Sequence, residues 1–167
     1  YANEHLALFD EFGFSVLLSQ LQKRLDGELK GVHRRYFDQV CEELEAAVAR
    51  FTSGRSLSNV IFGFSKLKIS PSKRFLRRWS ERSVERLSYF NAQELANTAY
   101  AVGKLRLSVV DLADGFILRW SEACMDTFRT WNSQDLSNAI YGLGQLIVDR
   151  RDVCPNFFAT WSEHCVR

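Results

Sequence analysis

The sequence predicts an all-α fold, an α-solenoid of helix-turn-helix repeats. Three observations carry that expectation. One eleven-residue phrase is written three times, as LSNVIFGFSKL (57–67), LANTAYAVGKL (95–105) and LSNAIYGLGQL (136–146). A second phrase, F-x-x-x-W-S-E, follows each copy, at Phe75–Glu81, Phe116–Glu122 and Phe157–Glu163. No segment shows the sustained alternation of a strand. Repetition of this kind marks stacked units that bury their apolar faces only against their neighbours.

The period is 38 residues from Leu57 to Leu95 and 41 from Leu95 to Leu136. The tryptophans Trp79, Trp120 and Trp161 are 41 apart, and each of the first two stands 16 residues before the next phrase. The three residues missing from the first interval therefore belong to the Lys68–Arg74 connection, where insertions and deletions are tolerated. Residues 1–50 are expected to form a divergent N-terminal repeat or cap. Phe37 and Cys41 stand in the Phe and Trp slots, and Ser15–Leu25 is a candidate first phrase. Three fuller repeats follow at 51–90, 91–131 and 132–167. The chain begins at Tyr1 and stops at Arg167 around the end of a second helix, so a fragment, or a short solenoid with covered ends, is expected.

Caps set the expected helix limits. Asn91 with Glu94, and Asn132 with Asp135, have the spacing of a capping box, and Ser53 is the matching cap one repeat earlier. Ser70, Ser108 and Asp149 are expected to cap the second helices, with Pro71 at a first helical position where its missing N–H costs nothing. Each repeat then reads as helix A, a short turn and helix B.

On a helical wheel, Leu95, Ala99, Val102 and Leu105 form the core stripe of helix A, as do Leu57, Ile61, Phe64 and Leu67, and Leu136, Ile140, Leu143 and Leu146. Its flanks are small: Ala96, Ala101 and Gly103, with counterparts Ser58, Gly63 and Ser65, then Ser137, Gly142 and Gly144. Glycine in a helix costs up to about 1 kcal/mol relative to alanine, so its recurrence predicts close approach of successive A helices. Trp79, Trp120 and Trp161, each four residues after a Phe, are expected as core knobs of helix B.

The side opposite the core carries three parallel stripes: Arg55, Asn59, Phe62 and Lys66; Gln93, Asn97, Tyr100 and Lys104; Gln134, Asn138, Tyr141 and Gln145. The spacing i, i+4, i+7, i+11 keeps each set on one face. Amides can bond to base edges, aromatic faces can stack on unpaired bases, and lysines can neutralise phosphates, so this wall is a candidate RNA-binding surface. The alternative is structural: the asparagines would bridge adjacent helices and the aromatics would be core.

Formal net charge is only +2, yet residues 51–110 hold 11 basic and 3 acidic side chains. Lys68, Lys73, Arg74, Arg77, Arg78 and Arg82 form a basic patch suited to a polyanion or an acidic protein surface. A solvated helix face with pairs such as Arg77–Glu81 is the other reading. Cys41, Cys124, Cys154 and Cys165 contain no C-x-x-C, which fits small buried hydrophobes in a reducing compartment. His164 and Cys165 with Cys154 match no zinc spacing. No apolar run reaches the length of a membrane span, and no targeting peptide is visible. Paired carboxylates, a nucleophile triad and a phosphate-cradling glycine loop are all missing, so neither catalysis nor a cofactor is expected.

FNAQELANTAYAVGKL (90–105) and WNSQDLSNAIYGLGQL (131–146) resemble the octotricopeptide repeat, with its (F/W)-x-x-Q-(E/D)-L-(A/S)-N opening, a following aromatic and a small-rich helix end. They are similar also to the heptatricopeptide repeats of apicomplexan organelles and to the helical repeats that precede RAP domains. The resemblance covers residues 51–167. The first of these copies departs from it, reading Gly54-Arg55-Ser56 where the pattern has Gln-Glu, and no RAP domain is present. What the resemblance implies is binding of organellar RNA, in mitochondria before plastids, as a factor in RNA metabolism or as an rRNA-stabilising component of an organellar ribosome. Similar repeats in secreted proteins of intracellular bacteria leave the compartment open. Three repeats would engage few nucleotides, which favours a place among neighbouring protein subunits. A protein–protein scaffold is the competing expectation.

Overall fold

A computed structural model describes residues 9–24, 32–146 and 148–166. Among these residues the structure is all helix and turn, with no strand. The helices are α1 (Glu11–Arg24), α2 (Val32–Ala47), α3 (Gly54–Leu67), α4 (Lys73–Arg86), α5 (Ala92–Lys104), α6 (Phe116–Thr127), α7 (Ser133–Gln145) and α8 (Phe157–Cys165). The A helices α1, α3, α5 and α7 pack in sequence on one another, and the B helices α2, α4, α6 and α8 form a second row behind them. Parts of the 1–50 unit (1–8 and 25–31, Leu25 of the candidate phrase included) and Arg167 lie outside the described residues.

The A row is the tighter of the two. Neighbouring A helices approach closely along their lengths, whereas B helices meet at fewer positions. Glycine explains the difference at α5 and α7. A Cβ on Gly103 would lie 2.7 Å from Gly142 Cα, and one on Gly142 would lie 2.7 Å from the Tyr100 nitrogen. A Cβ on Gly63 would stand 2.9 Å from Leu18 Cβ. Gly144 meets nothing within 4 Å, so close packing accounts for three of these glycines and not for it. Serine hydroxyls cross the A row as well. Ser58 donates to the Glu94 carbonyl (3.0 Å), and Ser15 donates to the Ser56 carbonyl (3.4 Å). The two bonds are equivalent, so Ser15 in α1 occupies the register of Ser58 in α3.

Each repeated tryptophan joins the two rows. The indole N–H of Trp79 donates to the Leu57 carbonyl (2.9 Å), that of Trp120 to Leu95 (3.0 Å) and that of Trp161 to Leu136 (3.1 Å). Trp79 and Trp120 are fully buried, each under the phenylalanine of the next B helix, with ring centroids 5.4 Å (Phe116) and 5.6 Å (Phe157) away. Trp161 is half-buried. The serine of the same phrase links successive repeats: Ser80 Oγ accepts the Ala113 N–H (2.7 Å), and Ser121 Oγ accepts the Cys154 N–H (2.8 Å).

Both expected capping boxes form, at Asn91/Glu94 and Asn132/Asp135, and Ser53 caps α3. The caps of the B helices differ from expectation. Ser72, not Ser70, caps α4, and Pro71 lies outside the helix. Ser108 and Asp149 cap short 3₁₀ turns at Val109–Asp111 and Arg150–Asp152. Helices α6 and α8 begin only after these, behind Gly115 (φ 72°) and Asn156 (φ 67°). The 68–72 connection has no 3₁₀ turn, which is how it is shorter. Lys68 (φ 56°) and Arg106 (φ 52°) end α3 and α5 in the left-handed region, where glycine is the usual occupant.

Candidate nucleic-acid interface

The three outward stripes lie along the free side of the A row, uncovered by the B helices. Arg55, Gln93 and Gln134 are exposed, as are Lys66, Lys104 and Gln145. Asn59, Asn97 and Asn138 are half-buried, in line between them. Phe62 and Tyr100 are half-buried, and Tyr141 is 42 % exposed. Helix phase alone places them so, because the core stripe turns these positions away from the B row.

A fourth stripe precedes them. The register fixed by Ser15 and Ser58 sets Phe12, Val16 and Ser19 of α1 beside Arg55, Asn59 and Phe62. All three are exposed, Phe12 at 65 % and Val16 at 41 %. The wall therefore begins with an apolar row. Sequence reasoning stopped short of these residues: Val16 and Ser19 lie inside the candidate phrase, but Phe12 precedes it, and only the i, i+4, i+7 spacing of the three carried the signal.

The aromatics form a ladder across the wall. Phe62 and Tyr100 ring centroids are 5.9 Å apart, and those of Tyr100 and Tyr141 are 5.4 Å apart and stacked. The rings already touch one another, so no base can slide between them. The Lys66 ammonium lies over the Phe62 ring (4.9 Å) and the Tyr100 ring (5.6 Å). Such cation–π contacts at an exposed site are worth about 0.5–1 kcal/mol. The ladder consumes the inner ring faces, so only the outer faces remain for any base, and the spacing between helices that sets this was not readable from one helix.

The amides behave differently. No side-chain hydrogen bond joins the amide of Asn59, Asn97 or Asn138 to another described residue, so these side chains do not bridge adjacent helices. These half-buried amides keep donors and acceptors available to water or to a ligand. Between the first turns of α3 and α5 the wall opens into a cleft lined by Arg55, Asn59, Asn91, Gln93, Glu94 and Asn97.

The basic patch sits elsewhere. Lys68 ends α3, and Lys73, Arg74, Arg77, Arg78 and Arg82 belong to α4, in the B row. The arginines are largely committed to neighbouring units. Arg74 pairs with Glu45 (3.1 Å), and Arg78 donates to the Glu45 carbonyl (3.1 Å). Arg77 bridges to the next repeat through the Leu112 carbonyl and Asp114 (both 3.0 Å). That bond holds the Asp114 carboxyl below the usual carboxylate range. Arg82 reaches the Phe51 carbonyl and Glu85. All of the patch but Lys68 thus lies on a B helix and not on the A-row wall, which composition alone could not show.

Two of the thiols are held protonated. Burial, then the Asp38 charge, pushes Cys41 up to about 12, and burial raises Cys124 well above the ordinary thiol range. Among the described residues no three His, Cys, Asp or Glu side chains are grouped to hold a metal ion. No described helix is long and apolar enough to cross a membrane. Comparison of the sequence with protein-family models and with curated proteins returns no match.

Proposed function

We propose that the chain is a non-catalytic, single-stranded-RNA-binding helical-repeat protein of the octotricopeptide type, and that the wall on its A row is the binding surface. The observation that carries this reading is the row of amides, Asn59, Asn97 and Asn138, whose side chains have no hydrogen-bond partner among the described residues and which are flanked by exposed Arg55, Lys66 and Lys104. Amides offer both donors and acceptors to base edges, and the cations supply phosphate neutralisation. The closed aromatic ladder stiffens the wall, so affinity comes from edge and backbone contacts more than from stacking. The sequence resemblance alone supports a place in organellar RNA metabolism or in a mitochondrial ribosome.

Replacing Arg55, Lys66 and Lys104 together by Ala tests the wall. Binding to a short single-stranded RNA weakens, and the slope of log affinity against log salt flattens by about 0.7 for each phosphate that the variant no longer neutralises. Unchanged affinity and slope at every ionic strength sinks the wall as an RNA surface.

A second reading is favoured by Phe12 and Val16, which give the wall an exposed apolar start. That row suits a protein neighbour, since exposed apolar side chains in a group mark interaction surfaces. A purified partner subunit that still binds after nuclease treatment, and fails to bind Phe12→Ser, supports it. RNA binding abolished by Phe12→Ser counts against it.

A further inference from the structure

The cleft between α3 and α5 has a volume of about 290 Å³ and is lined entirely by polar side chains. Two of them carry opposite charge, Arg55 and Glu94, and they form no ion pair with each other. Glu94 Oε2 accepts the Asn91 N–H (3.0 Å) and closes the helix cap, and Oε1 bonds to no other described residue. Asn91 Oδ1 accepts the Glu94 N–H (3.0 Å) in return, which fixes the carboxylate in place. Gly54 makes room for it, because a Cβ there would stand 2.9 Å from Glu94 Oε2 and 2.6 Å from the Phe90 ring. The cleft therefore holds a positioned carboxylate acceptor and a guanidinium that pairs with no described residue, with amides between them.

We infer that this cleft is a guanine subsite within the wall, taking one unpaired guanine from a single strand. This rests on the RNA reading above. Guanine sets two donors side by side, N1–H and the N2 amino group, and two acceptors next to them, O6 and N7. The Glu94 carboxylate accepts from the donor pair, and Arg55 donates as a fork to O6 and N7. Uracil places an acceptor on each side of its single N–H, and both would face the carboxylate. Adenine has no ring N–H on that edge. Cytosine has an acceptor beside its amino group. Asn59 and Asn97 border the base and add donors for its remaining edge. The neighbouring clefts differ. The one toward α7 has Gln93 in place of the arginine and Asp135 in place of the glutamate, and the one toward α1 has Phe12 in place of the arginine and Ser56 in place of the glutamate. The charged pair thus marks a single step of the wall.

The test is fluorescence anisotropy with the full chain and labelled nine-nucleotide oligouridines whose central base is guanine, inosine, 7-deazaguanine, adenine or uracil. Guanine is bound about tenfold more tightly than adenine or uracil, the scale of a good base-edge contact. Inosine, without the N2 amino group, and 7-deazaguanine, without N7, each lose part of that preference. Glu94→Gln keeps an oxygen for the Asn91 N–H and abolishes the guanine–inosine difference. Arg55→Gln abolishes the guanine–7-deazaguanine difference, on top of a loss of affinity that is uniform across the five oligonucleotides and comes from the removed charge. Circular dichroism and melting of both variants report on folding, and the base-analogue series on the unaltered chain stands even if Glu94→Gln melts early. Equal affinity for all five oligonucleotides overturns the guanine subsite and leaves the RNA reading intact. No binding of any of them at low salt overturns both.

Discussion

Gly103 and Gly142 meet backbone to backbone, so near that a methyl group on either would run into the other helix. Two residues on, Gly144 faces open space. The same residue type in the same helix is therefore under opposite constraints.

Gly142→Ala should destabilise the chain by about 1–3 kcal/mol or more, because the clash is with backbone that cannot rotate away. Gly144→Ala should be neutral or stabilising by up to about 1 kcal/mol, since alanine is the better helix former and nothing stands in its way. Urea denaturation of the two variants checks the pair. Equal effects would mean α5 and α7 are further apart than described.

Ser80 and Ser121 each take up a buried backbone N–H of the next repeat. Alanine at either position strands that donor, at a cost of about 1–3 kcal/mol. Ser162, the third serine of the phrase, is exposed and bonds only within its own helix. Ser162→Ala should change stability by less than about 0.5 kcal/mol. Thermal melts of the three single variants distinguish a link between repeats from a local helix effect.

Lys68 and Arg106 hold left-handed backbone at the ends of α3 and α5. Glycine adopts that conformation without the Cβ penalty, so Lys68→Gly and Arg106→Gly should each stabilise by about 0.5–1 kcal/mol. A lowered melting temperature in either would show that the basic side chain contributes more at the helix terminus than the strain costs.

The folded chain holds the Cys41 proton more tightly than the unfolded chain does. Stability should therefore fall as pH rises from about 9 toward about 12, the window between its ordinary value and its value in the fold. Urea midpoints measured from pH 8 to pH 10.5 should decline less steeply in Cys41→Ala. Below pH 8 the two slopes should coincide. At pH 8 a thiol reagent should modify exposed Cys165 quickly and buried Cys124 only after unfolding.

Much of this structure is written locally in the sequence. The capping boxes at Asn91 and Asn132 act within three residues, so spacing alone reveals them. The shortened Lys68–Arg74 connection follows from comparing two intervals. The B-helix starts were missed because Ser108 and Asp149 do cap something, a 3₁₀ turn that one-dimensional pattern cannot tell from the first turn of an α-helix. The Ser80 and Ser121 links join residues 33 apart. Their only trace was a serine that recurred beside tryptophan with no role in the apolar period. At the wall, helix phase correctly places the amides and rings outside. Whether neighbouring rings stand close enough to touch depends on the distance between helices, which Gly103 and Gly142 set from the opposite flank.

The unequal packing of the two rows has a mechanical consequence. Helices that touch along their lengths resist being drawn apart, whereas helices that meet at few positions can shift against one another. A load on the array should therefore be absorbed among the B helices, while the A helices keep their mutual spacing.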